Sequence, residues 1–176
     1  MDKRDIRRTV RSRIALLSEQ QKTEASQQIF AKIATLPAFE NAKVVALFAS
    51  LHDEPQTEQF IAEWHGRKRI VLPRCEGEVM NFYDYSPDVM ESGSFGINEP
   101  QGVEPCRPSE IDFMVIPGVA FTPDGRRLGR GKGFYDRYLS QEEFAAITVG
   151  ICFREQVVDD IPSESHDKVV ESVIAY

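Results

Sequence analysis

Residues 112–139 read DFMVIPGVAFTPDGRRLGRGKGFYDRYL, and this stretch decides the fold that we expect for the chain. The apolar run at 113–116 predicts a buried strand, and Pro117-Gly118 directly after it interrupts regular structure. Glycines then recur at every second position, 129, 131 and 133, with arginine and lysine between them. Alternate glycines let the backbone approach a ligand closely, and the cations suit a phosphate. The stretch therefore predicts a central strand that leads into an anion-binding loop.

A short helix is predicted after the loop, over residues 133–139, with its positive dipole end toward the bound anion. Asp136 in its first turn offers a hard oxygen ligand for Mg²⁺, and a charge that only complements the helix dipole is the plainer alternative. Phe134 and Tyr135 are interpreted either as core residues or as rings that stack on a flat ligand.

Strand-like and helix-like segments alternate along the rest of the chain. The predicted strands are 44–50, 70–72 (ended by Pro73), 80–85 at an edge, 113–116, 147–153 and 169–175. The predicted helices are 2–17, a second one from a capping box at Ser18 and Gln21 to just before Leu36-Pro37, a short one capped by Thr57, and 133–139. Residues 86–108 are rich in proline, glycine and serine and predict a long loop.

This alternation predicts an α/β fold, a three-layer α/β/α sandwich with a mostly parallel, Rossmann-like central sheet. The 176 residues can bury a core without staples, so we expect one domain over 1–176. In such sheets, ligands bind beyond the carboxyl ends of the strands. The acidic segment Leu51-His52-Asp53-Glu54-Pro55 directly follows the strand at 44–50. His52 and Asp53 have the residue types of an acid–base pair, but a solvated loop is the simpler interpretation.

The composition argues against several classes of protein. A net charge of −7 disfavours nucleic-acid binding, because polyanions are repelled at long range. No segment reaches the length of a membrane span, and the N-terminus does not resemble a signal peptide. Three widely spaced cysteines indicate a reducing compartment rather than a disulfide scaffold or a zinc site. We therefore expect a cytoplasmic monomer without nucleic-acid or membrane partners.

The first helix carries an apolar face and a basic face. Ile6, Val10 and Ile14 recur at helical spacing, and Lys3, Arg7 and Arg11 follow one another every fourth residue. On pattern alone, a solvated basic face is favoured over phosphate contacts.

The glycine loop matches neither common phosphate motif. A P-loop, GxxxxGK followed by Ser or Thr, would need glycine at Arg126 and a hydroxyl residue at Gly133. A dinucleotide fingerprint, GxGxxG from Gly129, would need glycine at Phe134.

The segment PGVAFTPDGRRLGRGKGFYDRYL instead closely resembles the signature of the 5-formyltetrahydrofolate cyclo-ligase family (5,10-methenyltetrahydrofolate synthetases). The chain departs from the common pattern at Thr122, usually Asp, at Lys132, often Gly, and at Phe134, often Tyr. Further segments fit the order and spacing of the family: KRDIR (3–7), VVALFAS (44–50), HDEPQT (52–57), LPR (72–74), NEP (98–100), GICFREQ (150–156) and IPSESHD (161–167).

The resemblance implies three sets of site residues. The ATP contacts implied are Lys3, Arg4, Asp5, Ile6, Arg7, Arg127, Leu128, Gly129, Arg130, Gly131, Lys132, Gly133, Phe134 and Tyr135. The substrate contacts implied are Ala49, Glu54, Arg130, Gly131, Lys132, Gly133 and Phe134. Asp136 and Asp167 are implied as Mg²⁺ ligands, and Arg130 and Lys132 as the catalytic residues.

The activity that the resemblance implies is the ATP-dependent cyclisation of 5-formyltetrahydrofolate to 5,10-methenyltetrahydrofolate, with release of ADP and phosphate through a phosphorylated formyl intermediate. Two alternatives stay open at this point: an inactive relative of the fold that binds phosphate or RNA, and another enzyme on a similar sheet, such as a sugar-phosphate isomerase. The acidic net charge and the retention of both aspartates argue against the RNA-binding relative.

Overall fold

The computed structural model describes residues 1–87, 90–92, 98–100, 102 and 104–176. Within these ranges the helices are α1 (Lys3–Ile14), α2 (Glu19–Ala34), α3 (Pro37–Asn41), α4 (Glu58–Trp64) and α5 (Phe134–Leu139). The strands are β1 (Val44–Ala46), β2 (Arg69–Glu76), β3 (Val79–Asp84), β4 (Met90–Ser92), β5 (Asn98–Pro100), β6 (Phe113–Ile116), β7 (Ala120–Phe121), β8 (Arg127–Leu128), β9 (Ile147–Cys152) and β10 (Ser172–Ala175). None of these helices is long and apolar enough to span a membrane.

Six strands pair into one sheet in the order β10–β9–β6–β1–β2–β3. All neighbours are parallel except β2 and β3, so the antiparallel β3 lies at one edge, as its alternating pattern predicts. The predicted α/β class with a mostly parallel central sheet is confirmed. The chain also forms two antiparallel hairpins outside this sheet, β4–β5 and β7–β8.

Alternate side chains of the strands pack into two apolar layers, one on each face of the sheet. On one face, Val45 of β1 belongs to a buried cluster with residues of α2, α3 and α4. On the other face, Ala46 belongs to a cluster that includes Tyr135 and Tyr138 of α5. Because both faces are covered at the centre of the sheet, β1 and β6 are apolar throughout, which explains their continuous apolar runs in the sequence.

A third buried cluster fixes α1 against the β7–β8 hairpin. Ile6, Val10 and Ile14, the predicted apolar face of α1, pack with Leu128 of β8 and Ile161. This packing leaves the basic face of α1 on the side where the glycine loop begins.

Two predictions around β1 and α4 are wrong in detail. β1 ends at Ala46, its last residue paired with β2 and β6, rather than at Ser50. Thr57 is the N-cap residue of α4, as predicted, but its side chain makes no capping hydrogen bond. Its hydroxyl instead donates to the Phe48 carbonyl at 2.6 Å and accepts from the Ser50 N–H at 3.2 Å. These bonds close the turn that carries the predicted substrate residues.

The prediction that Pro73 ends the second strand is also wrong, because β2 continues to Glu76. Its parallel pairing with β1 stops at Val71, so Pro73 lies where no N–H is needed on that side. On the other side β2 pairs with β3, and hydrogen-bonded pairs alternate along such a ladder. The Tyr85 N–H donates to the Ile70 carbonyl, so Ile70 belongs to a hydrogen-bonded pair. Pro73 lies three residues further along the strand and therefore belongs to a non-hydrogen-bonded pair, which needs no N–H from it.

The segment 86–108 was predicted to be a loop, but it contains the paired strands β4 and β5. Its residues 88–89, 93–97, 101 and 103 lie outside the described ones. The last strand begins at Ser172 rather than 169, because Val170 N–H donates to the Gly125 carbonyl at 2.9 Å instead of joining the sheet. The capping box of Ser18 and Gln21 is confirmed, with both reciprocal hydrogen bonds formed.

The sheet reverses its order of connection between β1 and β6. From β1 the chain continues to β2 on one side, and β6 then pairs with the opposite edge of β1. A ligand crevice is expected where two adjacent strands diverge in this way. The turn after β6 is held by the buried amide of Gln156, which donates to the Gly118 and Val119 carbonyls at 2.8 and 3.1 Å.

The turn at residues 122–126 anchors the glycine loop to the C-terminal segment. Thr122 is buried, and its hydroxyl donates to Asp124 and accepts from the Arg126 N–H at 3.0 Å, so the threonine holds the turn. Gly125 has φ +94°, and a Cβ there would lie 2.2 Å from the Val170 carbonyl oxygen. Only glycine allows this contact, which brings the residues around Asp167 to the loop.

We expect Gly125→Ala to lower the free energy of unfolding by about 2 kcal/mol or more, from left-handed strain and the displaced bond to Val170. Denaturant titration measures the change. Gly66→Ala is the control, because a Cβ at Gly66 meets nothing within 4 Å. Equal stability of the two variants would contradict this account of the turn.

Candidate active site

One cavity of about 380 Å³ opens at the carboxyl ends of β1 and β6, where the sheet changes direction. Its wall contains most of the residues that the sequence singles out. They are Lys3, Arg7, Ala49, Glu54, every residue from Arg127 to Tyr135, Asp136 and Asp167. Segments that lie at both ends of the sequence and in its middle therefore meet at one site.

Three of the predicted nucleotide contacts do not line this cavity. Ile6 is buried in the cluster between α1 and β8. Arg4 is exposed, and Asp5 accepts a hydrogen bond from Arg8 on the outer side of α1. A nucleotide role for these three residues stays a prediction.

The basic face of α1 divides in two, which the sequence pattern did not predict. Lys3 and Arg7 face the cavity, whereas Arg11 is exposed. Arg7 Nε donates to the Gly129 carbonyl at 2.9 Å, and Lys3 Nζ donates to Asp167 Oδ2 at 2.7 Å. The helix thus joins the glycine loop to the C-terminal segment.

The glycine loop ends in a left-handed residue. Gly133 has φ +70° and is the residue directly before α5, and a Cβ there would lie 2.9 Å from Arg137 Nη1. α5 spans six residues, so its dipole is small, and we assign anion binding to the loop amides and cations instead. Lys132 is exposed at the cavity mouth.

Arg127 forms the inner cationic wall of the cavity. Its Nε donates to the Pro117 carbonyl at 2.7 Å, and its guanidinium lies 5.0 Å from the centroid of the Tyr135 ring. Desolvation lowers the pKa of Arg127, and the negative charge of Asp136 opposes this shift. An arginine so enclosed still keeps its charge, which makes it a fixed partner for an anion.

Glu54 is the buried carboxylate of the cavity, with 5% of its surface exposed. Its Oε1 accepts from the Leu51 N–H at 2.8 Å, and its Oε2 lies 3.4 Å from Arg130 Nη2. Burial raises the pKa of Glu54, while the Leu51 N–H and Arg130 work in the opposite direction. A buried acceptor of this kind suits the N–H donors of a polar ligand.

Asp53 is not the solvated residue that we predicted, but the partner of Arg130. Arg130 Nη2 donates to Asp53 Oδ1 at 2.7 Å, and Nη1 donates to Oδ2 at 3.3 Å. Burial alone would raise the pKa of Asp53, but the hydrogen bond and charge of Arg130 lower it overall. The same pair raises the pKa of Arg130 against the desolvation that opposes it.

Acidic groups gather at the opposite end of the cavity. Ligand atoms of Glu164, His166 and Asp167 lie within 4.8 Å of one another. Burial tends to raise the pKa of Asp167, but the hydrogen bond from Lys3 and the Glu164 N–H lower it overall. Asp136 lines the same cavity and accepts from the Lys168 N–H at 3.0 Å.

Two tyrosine hydroxyls in α5 are buried without a hydrogen-bond partner among the described residues. Tyr135 lines the cavity, whereas Tyr138 does not. Tyr135 also belongs to the core cluster on its face of the sheet, so both interpretations of this residue apply. An unpaired hydroxyl at a cavity wall is positioned to bond a ligand.

Sequence reasoning missed several residues of the cavity. Glu164 and His166 were not proposed as site residues, although their spacing around Asp167 in IPSESHD is a usable signal. The apolar wall carries no such signal, because its members come from unconnected segments and look like core residues. They are Phe48, Leu51, Pro73, Cys75, Met80 and Pro117.

The arrangement has two chemically different ends. Cations and the amides of the glycine loop suit phosphate groups at one end. The buried carboxylate beside an apolar wall suits a flat ligand with N–H donors at the other. The cavity can therefore hold a nucleotide phosphate against a second, ring-shaped molecule.

Known proteins are similar to this chain in both sequence and fold. The model of the 5-formyltetrahydrofolate cyclo-ligase family matches residues 1–176. The 5-formyltetrahydrofolate cyclo-ligase of Mus musculus is 30% identical over 188 residues, covering 98% of this chain and 92% of the mouse protein. That of Haemophilus influenzae is 34% identical over 175 residues, covering 94% of this chain and 92% of the relative.

Two solved structures of 5,10-methenyltetrahydrofolate synthetases superpose over almost the whole chain. The Aquifex aeolicus protein gives a TM-score of 0.88 at 33% identity and covers 99% of this chain and 90% of the other. The Mycoplasma pneumoniae protein gives 0.81 at 28% identity and covers 99% and 98%. With a family model and relatives that match over its full length, this chain belongs to the 5-formyltetrahydrofolate cyclo-ligase family.

Proposed function

We propose that the chain converts 5-formyltetrahydrofolate and ATP to 5,10-methenyltetrahydrofolate, ADP and phosphate. The observation that carries the proposal is the single cavity that joins a buried carboxylate, Glu54, to a loop of glycines and cations. Family membership gives the reaction, and this cavity contains a suitable place for each reactant.

The chemistry explains why ATP is needed. The formyl group on N5 is amide-like, so its oxygen is a poor leaving group when N10 closes onto the carbon. We propose that the formyl oxygen attacks the γ-phosphorus, ADP leaves, N10 adds to the activated carbon and loses its proton, and phosphate departs. No protein nucleophile takes part in this sequence. The protein has to align the formyl oxygen with the γ-phosphate and offset the negative charge.

The cations of the cavity are assigned to the phosphates. Lys132 and Arg130 stabilise the transferring phosphoryl group, with the amides between Gly129 and Gly133 beside them. Arg127, Lys3 and Arg7 hold the remaining phosphates. The presence of all five cations in the lining of one cavity supports this assignment.

Mg²⁺ fits the acidic end of the same cavity. Asp136 and Asp167 are the proposed ligands, and Glu164 is a neighbouring carboxylate. Asp167 is paired with the Lys3 ammonium at 2.7 Å, so Mg²⁺ would take the place of Lys3, which is assigned to a phosphate. Bound Mg²⁺ would neutralise charge on the nucleotide phosphates.

The folate is assigned to the other end. Glu54 accepts from the N–H donors of the pterin, Ala49 packs against it, and Phe134 forms part of the wall.

We further propose that residues 1–176 work as a single domain, as a monomer, in the cytoplasm.

The first prediction concerns the reaction itself. We expect the purified protein to form the methenyl chromophore from 5-formyltetrahydrofolate and Mg-ATP, and to form none without ATP. Spectrophotometry follows the product. Salt-dependent RNA retention without turnover would favour an inactive relative, and an ATP-independent isomerisation would favour a different enzyme.

The second prediction concerns charge at the phosphate end. Lys132→Ala and Asp136→Asn should each lower kcat by about 100-fold or more, because each removes a charge or ligand that the transition state needs. Steady-state kinetics with circular dichroism measure activity and folding together. Exposed residues outside the cavity give the controls Lys32→Ala and Asp159→Asn. A folded Asp136→Asn variant with wild-type rates would remove Asp136 from the mechanism.

The third prediction uses the two unpaired tyrosines. Tyr135→Phe should raise the free energy of unfolding by about 1 kcal/mol, because it deletes a buried unpaired hydroxyl, and should weaken ligand binding several-fold, by roughly the value of one hydrogen bond. The sequence resemblance predicts a nucleotide contact, and Arg127, which is assigned to the phosphates, lies 5.0 Å from the Tyr135 ring, so we expect the larger rise in the KM for ATP.

Tyr138→Phe is the matched control for this experiment, because its hydroxyl is also buried and unpaired among the described residues but lies outside the cavity. It should stabilise the protein and leave both KM values unchanged. Identical KM values in the two variants would mean that the Tyr135 hydroxyl does not bind a ligand.

A further inference from the structure

Asp53 lies next to Glu54 at the folate end of the cavity, yet neither the resemblance nor the reaction gives it a role. Its side chain is 17% exposed and that of Arg130 is 27% exposed, so the ion pair is largely withdrawn from water. The partners are 77 residues apart in sequence. Such a pair holds both side chains in one geometry more firmly than an exposed surface pair does.

Arg130 makes closer contacts with Asp53 than with Glu54. Asp53 receives both short contacts, at 2.7 and 3.3 Å, whereas Glu54 lies 3.4 Å from Nη2. Glu54 already accepts the Leu51 N–H through its other oxygen. One guanidinium thus faces two carboxylates, and Asp53 supplies most of its hydrogen bonding.

The consequence for Glu54 follows from charge balance. Without the negative charge of Asp53, Glu54 would be the carboxylate that remains paired with Arg130 among the described residues. The guanidinium would then move onto Glu54 and occupy the oxygen that is proposed to accept from the pterin. A buried cation does not stay without a counter-ion when one is adjacent.

We propose that Asp53 is a positioning residue: it holds Arg130 at the junction of the folate and phosphate ends and thereby keeps Glu54 available to the substrate. Arg130 can reach the transferring phosphoryl group only if it does not collapse onto Glu54. This inference rests on the proposed function, because its measured effect is on folate kinetics.

The isosteric variant Asp53→Asn tests the proposal, since it removes the charge and keeps the shape. We expect kcat/KM for 5-formyltetrahydrofolate to fall at least about tenfold, the size of a lost charge-assisted hydrogen bond. The KM for ATP should stay within about twofold, because Lys3, Arg7 and Arg127 are separate from this pair. Melting temperature and circular dichroism verify that the variant is folded.

A double-mutant cycle separates positioning from a general structural role. In an Arg130→Gln background, Asp53→Asn should cause no further loss in kcat/KM for folate, because the group that it positions is absent. Asp84→Asn is the matched control: Asp84 bonds Arg69 Nε at the same 2.7 Å, outside the cavity, and its loss should leave both KM values unchanged.

The inference is overturned if Asp53→Asn keeps wild-type folate kinetics, or if its effect persists at full size in the Arg130→Gln background. A rise in the KM for ATP equal to that for folate would also overturn it. An inactive wild-type protein would instead contradict the proposed function, so the two failures are distinguishable.

Discussion

The parallel pairing of β1 with β6 is the constraint on which the site depends. The chain leaves these adjacent strands in different directions, toward β2 from β1 and toward the β7–β8 hairpin from β6, and a crevice opens at their carboxyl ends. The turn with Glu54 forms one side of that crevice and the glycine loop forms the other. Two anchors keep the loop there: α1 packs on β8, and Gly125 touches the backbone of Val170.

The cavity is rich in cations although the molecule as a whole is negatively charged. The chain carries a net charge of −7, but five cations line its cavity. Lys3 pairs with Asp167, and Arg130 pairs with Asp53. Partly buried charges need such partners in the absence of a ligand. In the proposed function, binding of anionic phosphates at the Lys3 end would involve an exchange of partners, whereas the Asp53 pair would persist beside the pterin.

The sequence predicted the layers of the fold well and their edges less well. Strands buried on both faces leave continuous apolar runs, so the central strands could be identified. The edge strand could be identified from its alternating pattern instead. Pro73 misled the prediction because its effect depends on where the neighbouring strand stops, which is a tertiary fact. Thr57 marks the start of α4 as predicted, but its hydroxyl bonds across a turn and does not bond the helix backbone. A residue's type fixes the bonds that it can make, and the fold selects among them.

The sequence by itself determined the α/β class, the glycine loop, the family resemblance and most of the cavity residues, because these follow from local patterns and motif spacing. Only the tertiary structure decided which face of α1 meets the loop, that Asp53 binds Arg130 and that Tyr135 carries an unpaired hydroxyl. The reason is the length of chain between partners: Lys3 and Asp167 are 164 residues apart, and Arg130 and Asp53 are 77 apart. Contacts over such separations depend on the packing of whole elements, and no local pattern in the sequence records them.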